Sequence, residues 1–412
     1  MSAGHALHPT RSRAPAETVR ARTIRIEGRV QGVGFRPFVY RTAHAHGVAG
    51  RVLNRGGEVL IHAEGPGEAL EAFMAALGAD LPPLARITHF ESAEAAPEGC
   101  AGFIVAESGA AERLSAHVPP DLFTCPACLE ELRDPADRRY RYPFINCTDC
   151  GPRYTIIRGL PYDRPATSMA GFPLCEPCRA EYENPLDRRF HAEPVACPDC
   201  GPSLTWSRGG ERVTDTEAAI AACIEALRHG EIVAVRGIGG YHLMCDAADE
   251  DAVARLRRRK ARPHKPLAVM FPLQGADGLD AVRAAAHLEP EAEARLLDPA
   301  RPILLVPAKQ GNGLAPSLAP GLGDLGVFLP YSPLHHILLA DFGRALVATS
   351  GNVSGEPVIT GPDEAEARLG RVADAFVHHD RPIVRPADDS VYRMIGGRAS
   401  PIRLGRGAAP VE

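Results

Sequence analysis

Gly28-Arg29-Val30-Gln31-Gly32-Val33-Gly34-Phe35-Arg36-Pro37-Phe38 decides the fold of the first part of this chain. Ile24, Ile26 and Val30 read as a strand that Gly32 and Gly34 break. Phe38, Val39 and Ala43 then give a helix that runs from Pro37 to a stop at Gly47. A glycine-rich turn between strand and helix lets backbone N–H groups converge on an anion, and the helix N-terminus adds favourable partial charge. Arg36 brings a planar, forked cation to the same place. Working outward, Val52 to Ile61 reads as a hairpin around Gly56-Gly57, Glu68 to Leu77 as a second helix, and Ile87 to Glu94 and Phe103 to Val105 as strands. The order β-α-β-β-α-β over residues 22–108 predicts a ferredoxin-like α+β unit. On composition alone the turn also fits an ordinary strand-to-helix connection with a surface arginine.

Residues 120–207 repeat themselves at a spacing of 50. Cys125, Cys128, Cys147 and Cys150 recur as Cys175, Cys178, Cys197 and Cys200, and Pro135, Asp137, Arg138 and Arg139 recur as Pro185, Asp187, Arg188 and Arg189. Each repeat is C-x2-C, 18 residues, C-x2-C, which presents four thiolates in two tight knuckles. Four cysteines with no open position make a structural zinc site, so two structural Zn2+ ions are expected. The spacing favours one ion within each repeat, although a swapped arrangement uses the same eight residues. A segment this short with few aliphatics builds little core, so zinc would supply its folding free energy. Cys100, Cys223 and Cys245 read as buried thiols.

Residues 212–407 read as a larger α/β unit. Thr216 to His229 and Asp249 to Arg259 are helical, and Ile232 to Val235, Leu267 to Met270, Ile303 to Val306, Val327 to Leu329, Leu346 to Ala348 and Phe376 to His378 suit strands. Gly311 to Leu325 is Gly- and Pro-rich and predicts a loop or lid. The basic run ends in Lys260-Ala261-Arg262-Pro263-His264-Lys265-Pro266, where prolines fix the chain beside the cations just before an apolar strand. Thr349-Ser350-Gly351-Asn352-Val353-Ser354-Gly355-Glu356-Pro357 follows another strand and offers hydroxyls, an amide and glycines. The adjacent histidines 335–336 are read as contacts or packing, because neighbours on a helix diverge by about 100° and cannot readily share an ion, and histidines 378–379 are read the same way.

The 412 residues carry a formal charge of −5, which does not encourage a nucleic-acid partner. No apolar run approaches the ~18 residues of a membrane span. Residues 1–21 are Ala-, His-, Pro- and Arg-rich without an apolar segment, and predict a disordered tail on a cytoplasmic protein.

Three resemblances join these readings. Gly28-x-Val30-Gln31-Gly32-Val33-Gly34-Phe35-Arg36-x-Phe38, followed by Gly50-x-Val52-x-Asn54, resembles the acylphosphatase signature. That resemblance implies that the 31–36 loop binds the acyl phosphate with Arg36 and that Asn54 positions the attacking water. Gly57 stands where free acylphosphatases usually carry aspartate, remote from the phosphate. Lys260-x-Arg262 and Ser350-x-Asn352 resemble the YrdC-like fold, an α/β domain with a twisted mixed sheet whose members form acyl adenylates from ATP. By that likeness Lys260, Arg262, Ser350 and Asn352 bind ATP or the carbamoyl adenylate, with Lys265, Ser390 and Arg403 as further candidates.

In this order the parts resemble the hydrogenase maturation carbamoyltransferase (HypF) family. The resemblance implies hydrolysis of carbamoyl phosphate to carbamate, then ATP- and Mg2+-dependent formation of carbamoyl adenylate and pyrophosphate. The carbamoyl group would later reach the C-terminal cysteine of a HypE-type acceptor protein. The family's further Kae1-like domain has no counterpart in the sequence, which implies a fragment or a split system without the final transfer. A protected passage for carbamate between the two sites is expected. The rival readings are tRNA threonylcarbamoyladenosine synthesis and a non-catalytic zinc scaffold.

Overall fold

The computed structural model describes residues 19–82, 84–107, 118–352 and 356–410. Residues 1–18 of the expected tail, and Val353, Ser354 and Gly355 of the second polar motif, lie outside the described residues. The tail is expected to reach residue 21, but Arg20 and Ala21 are already paired in the first strand, opposite Gly65 and Glu64.

The first unit contains β1 (Arg20–Arg29), α1 (Phe35–Ala45), β2 (Ala49–Arg55), β3 (Glu58–Gly65), α2 (Gly67–Ala79), β4 (Arg86–Ala95) and β5 (Phe103–Val105). Its sheet runs β4-β1-β3-β2-β5, antiparallel except for the β2–β5 edge. Ile24, Ile26, Val52, Val59 and Ile61 point inward at period two, and Val39, Phe73 and Leu77 from the helices close a core of their own.

The zinc repeats contribute little regular structure. Their helices α3 (Pro126–Arg133) and α4 (Glu176–Glu183) start at Cys125 and Cys175, each with proline in the first turn.

The large unit adds β6 (Leu204–Arg208), β7 (Glu211–Val213), α5 (Thr216–Arg228), β8 (Val233–Arg236), β9 (Tyr241–Asp246), α6 (Glu250–Arg259), β10 (Ala268–Met270), α7 (Asp280–Ala285) and α8 (Pro290–Leu297). It continues with β11 (Ile303–Pro307), β12 (Asp324–Phe328), α9 (Pro333–Phe342), β13 (Leu346–Ser350), α10 (Pro362–Leu369), β14 (Ala375–His379), β15 (Val391–Ile395) and β16 (Arg398–Arg403). Eleven strands form one mixed sheet in the order β16-β15-β11-β12-β10-β13-β9-β8-β14-β6-β7. Residues 204–207, counted from sequence with the zinc repeats, therefore also belong to this sheet.

The alternation of the central strands divides two cores. Val233, Val235, Met244, Leu346 and Ala348 face α5, α9 and the zinc repeats. Ala234, Leu243, Cys245 and Val347 face α6, α8 and α10. The zinc module thus shares a core with one face of the sheet.

The expected lid at 311–325 is pinned down instead. Ala315 and Leu318 are buried, Leu267 N–H donates to Leu318 O at 3.0 Å, and the segment ends inside β12. The segment is the expected loop, with one short 3-10 turn at Pro316–Leu318, but its two buried apolar side chains anchor it. Among the described residues no helix is long and apolar enough to cross a membrane.

Candidate functional site

The eight repeat cysteines gather into two clusters, Cys125-Cys128-Cys147-Cys150 and Cys175-Cys178-Cys197-Cys200. Each lies within one repeat, as the spacing favours. In the first cluster, neighbouring Sγ atoms stand 3.5 to 3.9 Å apart (Cys150–Cys128 and Cys147–Cys150). Thiolates 2.3 Å from a central ion at the corners of a tetrahedron are separated by about 3.8 Å, so the donor set fits zinc. No cysteine forms a disulfide. The two clusters are structural zinc sites.

The repeats brace one another. Arg139 forms an ion pair with Glu181 and donates to Ala196 O at 2.8 Å, while Arg189 pairs with Glu131 and donates to Asn146 O at 3.1 Å. Arg138 and Arg188 reach the opposite repeat's Cys178 and Cys128 sulfurs at 3.4 and 3.1 Å. Such N–H···S bonds steady the thiolates of a metal site.

The zinc module also covers the anion loop. Gly32 and Gly34 adopt left-handed φ of 66° and 73°, and a Cβ on Gly32 would stand 2.7 Å from Pro119 Cγ. Glycine is needed there both for the turn and for the close approach. Val33 and Phe35 bury their side chains in the core, leaving their backbone to the loop. Gln31 Nε2 donates to Gly56 O at 2.9 Å and Gln31 Oε1 accepts from Tyr162 N at 3.3 Å, tying the loop to the hairpin and to the zinc module.

Arg36 is buried and faces two carboxylates from that module, Asp163 at 2.9 Å and Glu193 at 3.0 Å. Burial pushes the Glu193 carboxyl up to about 7 against the opposing pull of Arg36. Arg153 is buried and spends its whole fork on carbonyls: Gly32 at 2.6 Å, Cys150 and Pro152 at 2.9 Å, Cys147 at 3.1 Å and Thr148 at 3.0 Å. Asn54, on β2, is fully buried, and both ends of its amide lack a partner among the described residues. A buried amide with no protein partner is uncommon and calls for an explanation beyond packing.

The second site is a cavity of about 300 Å³. Arg262, Lys265, Thr349, Ser350, Asp388 and Arg403 line it, above an apolar floor that includes Leu267, Ala348 and Val391. Lys260 does not line it but bonds Ser350, which does. Its ammonium donates to Ser350 O, and at 3.2 Å to both Asn352 O and Oδ1. Burial, then the charges of Arg262 and Lys265, hold the Lys260 pKa down to about 7. Arg262 donates to Thr349 Oγ1 at 3.0 Å, which joins the two sequence motifs across the cavity mouth.

Ser390 behaves differently from expectation. It is fully buried, accepts from Gly405 N and donates to Arg406 O at 2.9 Å, and does not line the cavity. Its hydroxyl closes the final turn. His335 and His336 are buried within α9; His378 bonds Tyr241 and Glu366, and His379 bonds Gly237 O.

Sequence reasoning missed Asp163, Glu193 and Arg153, which contact Arg36 and the Gly32 carbonyl from the zinc module. It also missed Arg257, which donates to the carbonyls of Arg262, Pro263, Lys265 and Leu318 and so shapes the Lys260–Lys265 turn. Arg257 was hidden within a basic run. Glu193 had a signal, since the repeats diverge there.

Three family descriptions match this arrangement in order: Acylphosphatase over residues 22–105, HypF finger over 124–157 and 174–207, and Telomere recombination (the YrdC-containing family) over 225–405. Fold and sites thus define an acyl-phosphate-type domain, a double zinc finger and a YrdC-like domain in series. Carbamoyltransferase HypF of Rhodobacter capsulatus is 50% identical over 375 residues, covering 90% of this chain and 48% of the relative. The probable carbamoyltransferase HypF of Methanocaldococcus jannaschii is 42% identical, over 94% of this chain and 50% of its own length. A crystal structure of full-length HypF in a phosphate- and nucleotide-bound form superposes with a TM-score of 0.91 at 44% identity, covering 97% of this chain and 51% of that one. HypF of T. kodakarensis gives 0.86 at 44% identity, over 95% and 50%. The chain belongs to the HypF carbamoyltransferase family, and it spans about half the length of the relatives it matches.

Proposed function

We propose that this chain activates carbamoyl phosphate for nickel–iron hydrogenase maturation through two successive sites. At the first, the 31–36 loop and Arg36 hold the phosphoryl group and Asn54 orients a water. The water splits the acyl–phosphate bond, releasing phosphate and carbamate. At the second, Lys260, Arg262, Lys265 and Arg403 hold the phosphates of Mg2+-bound ATP, and Ser350 and Asn352 hold the nucleotide or the carbamate. A carbamate oxygen attacks the α-phosphorus, forming carbamoyl adenylate as pyrophosphate leaves.

The observation that supports this reading is Asn54, a buried amide without a protein partner, in the same unit as the arginine-bearing glycine loop. The cavity lined by Arg262, Lys265, Ser350 and Arg403 on the same chain supports the second step. That a full-length HypF has been solved with phosphate and nucleotide bound supports the two ligand classes proposed. The domains proposed are 22–108, 120–207 and 212–407, the acceptor is a HypE-type protein with a C-terminal cysteine, and the setting is the cytoplasm, where ATP and carbamoyl phosphate are made.

The test is pyrophosphate release from ATP by the purified chain. Release is expected to require carbamoyl phosphate and to vanish in Arg36→Ala and in Lys260→Ala. Carbamoyl-phosphate-independent release, or none from a sample holding two zinc ions, would count against the two-step reading. Separated domains that work as well in trans as the fused chain would remove the need for a protected passage for carbamate.

A further inference from the structure

The two zinc repeats share a backbone but stop sharing side chains where the second meets the anion loop. Arg141 and His191 both hold left-handed φ, 54° and 52°, and their N–H groups bond the matching Leu132 and Tyr182 carbonyls. Yet His191-Ala192-Glu193 stands where the first repeat has Arg141-Tyr142-Pro143. A proline serves the fold at this position, so the fold itself does not call for a carboxylate. Burying one is unfavourable unless it is paired.

The two oxygens of Glu193 are used differently. Oε2 accepts from Arg164 N at 2.8 Å and from the Tyr182 hydroxyl at 2.9 Å, both within the zinc module. Those bonds fix the carboxylate so that Oε1 points out of the module, 3.0 Å from Arg36 Nη2. The narrow gap it faces is lined on one side by Gly32, Gly34 and Arg36, and on the other by Thr148, His191 and Glu193. A phosphoryl group seated on the loop and Arg36 would compete with Oε1 for the guanidinium and leave Oε1 facing the acyl end of the substrate.

We propose that Glu193 is the residue that selects a carbamoyl group at the acyl-phosphate site, its Oε1 accepting an N–H of the substrate's amino group while Tyr182 and Arg164 hold it in place. This rests on the proposed reading of that site. An acetyl group offers the same oxygen a methyl and leaves a buried acceptor unpaired, which is the arrangement that discriminates most strongly between near-isosteres. The selecting residue is therefore carried by the zinc module, not by the acylphosphatase-like unit.

The experiment compares phosphate release from carbamoyl phosphate and from acetyl phosphate by the full chain at pH 8, with Glu193→Ala and Glu193→Gln. The ratio of kcat/KM, carbamoyl over acetyl, is expected to fall about tenfold or more in the alanine variant, the scale of a lost hydrogen bond to a charged group, and less in the isosteric glutamine variant. Inhibition by inorganic phosphate, which has no amino group, is expected to stay or tighten. Equal loss on both substrates with weakened phosphate inhibition would show a merely structural role and overturn the proposal. So would an unchanged ratio in both variants. A wild-type chain that splits neither compound would overturn the acyl-phosphate reading itself, and the selection with it.

Discussion

Arg153→Lys tests whether the zinc module and the anion loop are one mechanical unit. The guanidinium donates to five carbonyls, four in the Cys147–Pro152 knuckle and one, Gly32, in the loop. An ammonium has three donors and no fork, so at least two of these bonds are lost in a site where the side chain is 1% exposed. Each buried group left unpaired costs about 1–3 kcal/mol, giving a loss of about 2–4 kcal/mol after some relaxation. Trp206, the single tryptophan, lies in the core shared by the zinc repeats and the sheet and reports unfolding there. With a urea slope of about 3 kcal/mol per molar, its midpoint should fall by about 1 M. Release of Gly32 O should also lower kcat/KM for acyl-phosphate hydrolysis by about tenfold or more, because small misplacements of a binding loop are costly. A midpoint within about 0.2 M of wild type, with hydrolysis intact, would refute the reasoning.

Three further outcomes are expected. Asn54→Ala should leave stability unchanged or raise it by about 1 kcal/mol, since it removes an unpaired buried amide, while acyl-phosphate hydrolysis falls about 100-fold; lost stability with retained hydrolysis would reverse that assignment. Nucleotide binding should take up close to one proton at pH 8, because the Lys260 ammonium, held down to about 7 when free, is drawn back to its charged form beside a polyphosphate. Affinity should therefore fall as pH rises above 7, and calorimetry in two buffers of different ionisation enthalpy measures the uptake. Burial alone would raise the Glu64 carboxyl, but His62 and the N–H groups of Glu98, Gly99 and Cys100 bring it down from 4.5 to about 2. It contributes stability that is present above pH 4.5 and lost as pH falls towards 2, and Glu64→Gln should flatten the unfolding midpoint across that window.

What the sequence disclosed and what it concealed follow from the range of the interactions. The knuckles, the glycine turn and the amphipathic helices are set by neighbours within a few residues, and each is legible. Strand β9 is not, because Tyr241-His242-Leu243-Met244-Cys245-Asp246 is buried on both faces and its polar members bond partners elsewhere, such as Asp389 for His242. The Gly311 to Leu325 segment has the composition of a loop, yet Arg257 and two apolar side chains fix it. Arg36 and Asn54 carry a motif that can be recognised, whereas Asp163 arrives from more than a hundred residues away without a trace, and Glu193, equally distant, is marked only by the divergence of the two repeats. The Lys260 and Ser350 motifs were legible as chemistry, but their meeting through a direct hydrogen bond depends on the order of strands in the sheet.

The exchange of Arg138-Arg139 and Arg188-Arg189 between repeats bears on how this module arose. Each half completes the surroundings of the other half's ion, and neither contains its own brace. Reciprocal contact of this kind, residue i on j and j on i, is the geometry of a two-fold dimer. A single repeat alone would lack its brace unless it self-associated, and the tandem arrangement makes that association intramolecular. Once tethered, the copies need not be identical, and they differ where Glu193 stands opposite Pro143 of the first repeat.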